Sequence, residues 1–437
     1  MKRGFTLIEL LAVILILGII SLIAIPAISN IIDEAKFNAA TRSAENYIKA
    51  VESAVSRNIV VDEITPTKCE IQDYNTLLCD EESELKVNYK GNGIKEGTLY
   101  FSNGIVKNIR NGKIDNLFVK IVSDKVKLFK ENPESELVSS NNFNSKIKQF
   151  IEDSKNNDDV LKNIKFLSYG ELPEGYTLEQ LNGFDSIDLS NKKDNSIKAI
   201  YNGNGSIFIY SEKLIVLKSA NQMFDDFYDI KNIDFGNVDT SNVTSMNDMF
   251  SDCYELETVN LSSFDTSNVT SFYMMFWQCN KLKTLNLNHF NTSNATNFEY
   301  MFSHCRSLEE VLINNFDVSN ATLLTAMFED CGNLKSLNLS NFNTSNVTCM
   351  DNMFNNCRSL TELNLSSFNT SNVTSMYDMF FNNSNLKMLD VSSFVFKDSI
   401  NISNVFKILP ANITIKVNSL SENKIRNSLS NVNIIVV

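Results

Sequence analysis

The sequence predicts an α+β protein: a long N-terminal helix carries a small antiparallel β head and is followed by a repeat solenoid built on a parallel β-sheet. Three observations predict it. An uncharged, almost wholly apolar run of 23 residues, Leu10 to Ile32, passes into a segment with helical spacing. Short β-like runs broken by Asn-Gly follow over residues 85–122. Met-Phe then recurs every 26 residues from Met223 to Met379, and a fixed period of that length marks stacked repeats.

Composition bounds the alternatives. The chain has 437 residues, 43% hydrophobic, with only 14 Gly and 5 Pro, which excludes a collagenous, Pro-rich or wholly disordered protein and leaves room for two or three domains. The net charge of −13 is uneven: residues 1–130 carry 17 basic and 16 acidic side chains, residues 131–437 carry 22 and 36. Such a surface repels phosphate backbones, so nucleic acid is not expected as a partner. Eight Cys are too few for a disulfide-built scaffold of this size.

The apolar run is long enough to span a bilayer, which takes about 20 residues. Basic Lys2 and Arg3 precede it, but Glu9 stands at its start and no Ala-x-Ala site ends it, unlike an ordinary secretory signal. A simple signal anchor with a helical stalk is the plain alternative. The opening Met-Lys-Arg-Gly-Phe-Thr-Leu-Ile-Glu resembles the class III leader of type IV prepilins. That resemblance implies cleavage by a prepilin peptidase between Gly4 and Phe5, N-methylation of Phe5, and pairing of Glu9 with the Phe5 amine of a neighbouring subunit. A lone carboxylate in lipid is costly and marks a function. Pro26 falls where pilins often loosen the helix. Beyond it Ile28, Ile32, Ala35, Ala39, Tyr47, Val51 and Ala54 keep helical spacing opposite Lys36, Arg42, Glu45, Lys49 and Glu52, so one helix is expected over 5–58.

Residues 59–130 read as the β head, with strands expected at Leu85–Lys90, Thr98–Phe101, Ile105–Ile109 and Leu117–Val122, and turns at Asn103-Gly104 and Asn111-Gly112. Cys69 and Cys79 either close a short disulfide loop or stay as two free thiols. The polar stretch 131–164 reads as a linker, and 165–437 as the solenoid with caps at 165–222 and 395–437.

Within each 26-residue unit the same positions recur: Cys253, Cys279, Cys305, Cys331 and Cys357, then Leu256 and its equivalents, and Phe264 and its equivalents. The pattern Cys-x-x-Leu-x-x-Leu-x-Leu-x-x-Phe suits a strand followed by a turn. Met246, Met249 and Phe250, at spacings of three and four, suggest a short helical return. Phe227 and Asn383 replace the Cys at the two ends. The unit resembles the BspA-like leucine-rich repeats of bacterial surface proteins, through Phe-Asp-Thr-Ser-Asn-Val-Thr at Phe264–Thr270.

One Cys per unit, without a Cys-x-x-Cys pair, is expected to pack rather than bind metal, and Cys349 lies outside that column. The Asn-x-Thr triplets at Asn242, Asn268, Asn294, Asn320, Asn346 and Asn372 match glycosylation sequons, but their recurrence favours turn hydrogen bonding. Only His289 and His304 exist, with no nucleophile elbow, phosphate loop or dinucleotide turn, so neither an enzyme nor a cofactor is expected. The candidate ligand patch is Tyr273, Trp277, Tyr300 and His304, where the single Trp replaces Ser or Glu of other units; a surface pair covering the return segment is the plain alternative.

Together these readings predict a membrane-inserted prepilin that becomes an extracellular, bacterial pilus or cell-surface subunit, minor or located at the tip. It would pair with other pilins and display its repeats to a host or surface protein or glycan. A pseudopilin of a secretion or uptake machine, with structural repeats, is the alternative.

Overall fold

The computed structural model describes residues 35–57, 66, 68–73, 75–79, 84–89, 93–102, 105–114, 117–122, 125–129, 134–154, 160–167, 170–400, 402–429 and 432–437. Gly4, Phe5, Glu9, Pro26 and the apolar run lie outside them. Among the described residues no helix is long and apolar enough to cross a membrane. The fold mixes α and β, with several sheets and few helices, and divides into units Met1–Pro133 and Glu134–Val437.

In the first unit, helix α1 (35–57) buries Ala40, Ala44, Tyr47, Ile48, Val51, Ala54 and Val55, while Lys36, Arg42, Glu45 and Lys49 face water. The expected stripe is displaced at its start, because Ala35 and Ala39 are exposed and Ala40 and Ala44 are buried. Ala fits either face at little cost, so it defines a stripe poorly. Glu52 does more than solvate: its Oε1 accepts the Val106 N–H at 3.0 Å.

The core of α1 joins a seven-stranded antiparallel sheet made of β1 (Lys68–Asp73), β2 (Thr76–Cys79), β3 (Glu84–Lys86), β4 (Glu96–Ser102), β5 (Ile105–Ile114), β6 (Leu117–Val122) and β7 (Lys125–Phe129). Their order is β3-β2-β1-β4-β5-β6-β7. The β4–β5 hairpin puts Ser102 opposite Ile105 across Asn103-Gly104. Asn111-Gly112, expected as a turn, instead continues β5, with Gly112 opposite Val119. The pairing with β6 on one side and β4 on the other outweighs local turn propensity there. Gly97, at φ +128°, lies where the β4–β5 register shifts, a backbone angle that favours glycine. Strands β1, β2 and β7 were not anticipated. Cys69 and Cys79 face each other across β1 and β2 and are joined by a disulfide, with Cα atoms 3.9 Å apart.

The second unit starts at Glu134, and the described residues 134–154 and 160–164, expected within a linker, are part of its fold. β8 (Glu134–Glu136) is followed by α2 (Ser140–Ser154), which buries Phe143, Ile147, Phe150 and Ile151. Four apolar residues at helical spacing outweigh the surrounding Asn, Ser and Glu. β9 (Asn163–Leu167), α3 (Leu178–Asn182), β10 (Ser186–Asp188), β11 (Lys198–Tyr201), β12 (Ser206–Tyr210), β13 (Leu214–Val216), β14 (Asn232–Asp234) and β15 (Thr258–Asn260) follow. β9 sits between β12 and β14 in a six-stranded sheet, parallel to both. Gly236, at φ +52°, passes so close to β9 that a Cβ would lie 2.7 Å from the Phe166 carbonyl oxygen.

From β14 onward the 26-residue period becomes geometry. β16 (Thr284–Asn286), β17 (Glu310–Leu312), β18 (Glu362–Asn364), β19 (Met388–Asp390) and β20 (Thr414–Val417) keep the spacing, and β14–β15, β16–β17 and β18–β19–β20 pair in parallel. After α4 (Ile402–Val405) and α5 (Ser419–Ser428), β21 (Asn433–Val436) extends the last sheet. Residues 336–338, at the same phase, form no strand.

The expected helical return is a run of turns instead. Met246, Asp248, Phe250 and Asp252 donate their N–H groups to the carbonyls of Ser271, Tyr273, Met275 and Trp277 in the next unit. Met249, Ser251 and Cys253 bond back three residues. The pattern puts two left-handed residues four apart in each unit, as at Asp248 (φ 54°) and Asp252 (57°), then Met274 (52°) and Gln278 (59°). Inter-unit bonds use the amides a helix would keep for itself. The Met246, Met249, Phe250 spacing fits both arrangements, so periodicity alone could not separate them.

Inside, Phe224, Phe250, Phe276, Phe302, Phe328, Phe354, Phe380 and Phe406 stack in one column at 5.2–6.0 Å with interplanar angles of 16° or less. Each such pair contributes on the order of 1 kcal/mol beyond its burial. A second clamp is polar. The Thr266 hydroxyl donates to the Asn291 carbonyl at 2.9 Å and accepts the Asn291 N–H at 2.8 Å. Thr240, Thr292, Thr344 and Thr370 repeat this one unit on each time. Val318 stands at the one position of this series without a hydroxyl.

Candidate functional site

The repeat that builds the core also decides which side chains are free. Asn268, Asn294, Asn320, Asn346 and Asn372 each donate Nδ2 to a backbone carbonyl 27 residues earlier, at 2.7–2.8 Å. Their amides are therefore rungs between units and not turn bonds within one. The buried thiols act likewise: Cys253, Cys279, Cys305, Cys331 and Cys357 donate to Phe carbonyls 29 residues earlier at 3.0–3.2 Å. Asn383, where the Cys is missing, makes the same bond to the Phe354 carbonyl through Nδ2 at 2.9 Å. Burial pushes these thiols up, Cys305 to about 12, which keeps them protonated as donors. Cys349 is only half-buried and receives the Thr325 hydroxyl at 3.4 Å.

Against that background the four aromatic candidates stand out. They lie on turns rather than one helical face, and form two edge-to-face pairs between adjacent units. Tyr273 and Tyr300 have ring centroids 6.0 Å apart at 82°; Trp277 and His304 are 6.3 Å apart at 70°. All four are half-buried. Tyr300 and His304 hold left-handed backbone, φ 56° and 61°. His304 Nδ1 lies 2.8 Å from Asp330 Oδ2, an approach that becomes an ion pair when the imidazole is protonated. Burial raises both phenols, and the carboxylates of Asp248 and Glu299 add to it for Tyr273, as those of Glu329 and Glu299 do for Tyr300. Burial likewise raises Glu329. His289 is set apart from the patch, its Nε2 2.8 Å from the Leu261 carbonyl.

Sequence reasoning missed a second group. Asp225, Asp226 and Asp252 bring one carboxylate oxygen each within 4.8 Å of one another. Beside them Tyr228 and Tyr254 stack at 5.2 Å and 18°, and the Tyr228 hydroxyl donates to Asp226 at 2.9 Å. Hydrogen bonding to Asp252 pushes Tyr254 up to about 12. Burial and the charges of Asp225 and Asp252 raise Asp248 to about 6. The signal was present as Asp-x-Tyr repeated 26 residues apart. Three carboxylates alone fall short of the roughly six to eight oxygens that calcium takes.

Comparison with known families adds two matches. Residues 1–25 match the prokaryotic N-terminal methylation motif, so the chain is prepilin-type at its N-terminus. Residues 218–336 and 302–417 match the family described as Mycoplasma protein of unknown function, DUF285. No curated protein and no solved structure matches the chain. The methylation motif fits a type IV pilin-like protein, for which processing by a prepilin peptidase, assembly with other pilins and passage from membrane to surface are implied.

Proposed function

We propose that the chain is a minor or tip subunit of a type IV pilus that displays its repeat unit, a BspA-like leucine-rich-repeat solenoid, for adhesion to a protein or glycan. The observation that carries the reading is the union, in one chain, of a methylation motif at residues 1–25 with repeats matched from 218 to 417. In this reading the peptidase cuts between Gly4 and Phe5, Phe5 is methylated, and Glu9 pairs with the Phe5 amine of a neighbour. The repeat-bearing unit, Glu134–Val437, is bulky for a subunit filling every place in a thin filament, which favours a minor or terminal position. Binding rather than catalysis is favoured because His289 is engaged with a backbone carbonyl and stands apart from His304.

The test is N-terminal mass analysis of the protein from its native host, with immunogold labelling of sheared filaments and a Glu9→Ala variant. A start at methylated Phe5, with gold on filaments that Glu9→Ala abolishes, supports the proposal. An uncut Met1 in the membrane fraction sinks it. Deleting residues 134–437 should remove adhesion and leave filaments; loss of filaments with unchanged adhesion would favour a pseudopilin with a structural repeat region.

A further inference from the structure

We infer that the patch formed by Tyr273, Trp277, Tyr300 and His304 binds a neutral glycan. The inference deepens the adhesion reading and rests on it for its biological setting, but its argument is local.

The first observation is hydrogen-bonding capacity. Elsewhere on the repeat, Asn, Thr and Cys side chains are committed to neighbouring units. Here, among the described residues, nothing accepts from the Trp277 indole N–H or from the Tyr273 and Tyr300 hydroxyls. Glu299, next to Tyr300, also keeps its carboxylate unbonded among the described residues; its backbone N–H donates to Asn297 and its carbonyl accepts the Met274 N–H. Uncommitted donors and an uncommitted acceptor therefore belong to one patch, and sugar hydroxyls can partner both.

The second is shape. In an edge-to-face pair the edge-on ring keeps both faces clear of its partner, and a half-exposed face can take the C–H side of a pyranose. Between Tyr228 and Tyr377, which are themselves exposed, no large hydrophobic side chain is exposed. A protein partner would want an apolar interface core around its aromatic anchors. The patch offers ring faces rimmed by polar groups instead.

The third is charge. The charged groups acting on the two tyrosines are Asp248, Glu299 and Glu329, all acidic, and Asp330 faces His304. Carboxylates accept from sugar hydroxyls but repel sialylated, uronic or sulfated chains. A neutral glycan satisfies all three observations.

The test uses the full chain, solubilised in a detergent without a sugar headgroup, on an array carrying chitohexaose, mannohexaose, cellohexaose, polysialic acid and heparin. We expect binding to at least one neutral hexasaccharide and none to the two acidic polymers. Trp277→Ala should weaken that binding about tenfold, the loss of one stacking contact, and Trp277→Phe by much less. Tyr300→Ala gives the same reading should Trp277→Ala disturb folding, which the melting transition reports. No binding to any neutral probe, preference for polysialic acid or heparin, or binding unchanged in both alanine variants would overturn the inference. Immunogold location is read separately, so glycan binding without filaments refutes the pilus and keeps the patch, and filaments without binding do the reverse.

Discussion

Exchanging Thr and Val at two equivalent places in the repeat perturbs one polar column in opposite directions. Thr344 is fully buried, and its hydroxyl donates to the Asn369 carbonyl at 2.9 Å and accepts the Asn369 N–H at 2.8 Å. Thr344→Val keeps the volume and removes both bonds, at about 1 kcal/mol each, so a loss of about 2 kcal/mol is expected. Val318, also fully buried, occupies the same position one unit earlier, in the unit whose residues 336–338 form no strand. Val318→Thr should supply the missing clamp to Asn343 and gain about 1 kcal/mol, less than two full bonds because the new hydroxyl must be desolvated. Urea unfolding followed by the fluorescence of Trp277, the single Trp, reads both. With an m value of about 3 kcal/mol/M, the midpoint should fall by about 0.7 M for Thr344→Val and rise by about 0.3 M for Val318→Thr, m unchanged. A lower midpoint for Val318→Thr, or none of the expected fall for Thr344→Val, would refute the idea that the hydroxyl column joins the units.

Three further outcomes follow from the geometry. Ala326 is buried at φ 52°, where an L-residue is strained, so Ala326→Gly should be neutral or stabilising in a thermal melt, whereas in a helix it would cost about 1 kcal/mol; a clear loss would argue for a helical return after all. The buried Tyr47 hydroxyl has no hydrogen-bond partner among the described residues and its phenol is pushed up by burial, so Tyr47→Phe should leave the first unit as stable or more stable by about 1 kcal/mol; a fall in its melting temperature would reveal a missed partner. Asp248, raised from 3.8 to about 6, is held more readily protonated in the folded state, so it is least unfavourable below pH 4 and progressively costs stability as pH rises through 6. Asp248→Asn should flatten that fall and stabilise the repeat at pH 7, by about 1 kcal/mol once solvent screening of a half-exposed group is allowed for; midpoints measured at pH 4, 6 and 7.5 decide it.

The repeat was legible because its period is covalent: Met-Phe, Cys and Leu at fixed spacing can be read without knowing a fold, and the parallel strands fall where Leu285 and Leu363 predict. What periodicity could not supply was the hydrogen-bond partner of each amide, and so the return segment read as helix. The stretch 131–164 misled for another reason: Phe143, Ile147, Phe150 and Ile151 are few among many polar residues, and α2 becomes evident only once β9 and the start of the repeats are there for it to cover, through Phe143 against Phe166 and Phe224. In the head, Asn111-Gly112 is a turn by local preference and strand by its neighbours on both sides. The aromatic patch was legible as a break in the polar pattern. The Asp225, Asp226 and Asp252 group showed in the sequence only as a repeated Asp-x-Tyr, and its members come together through the stacking of units.

The column of Phe rings fixes more than a core. Since each ring meets an identical ring one unit away, and the Thr, Asn and Cys bonds all join equivalent positions, excising or duplicating a whole 26-residue stretch restores every type of contact. Any other length throws ring, thiol and hydroxyl out of phase together. A lineage can thus lengthen or shorten this protein's reach in discrete steps, each step preserving the fold while shifting the aromatic patch relative to the ends of the stack.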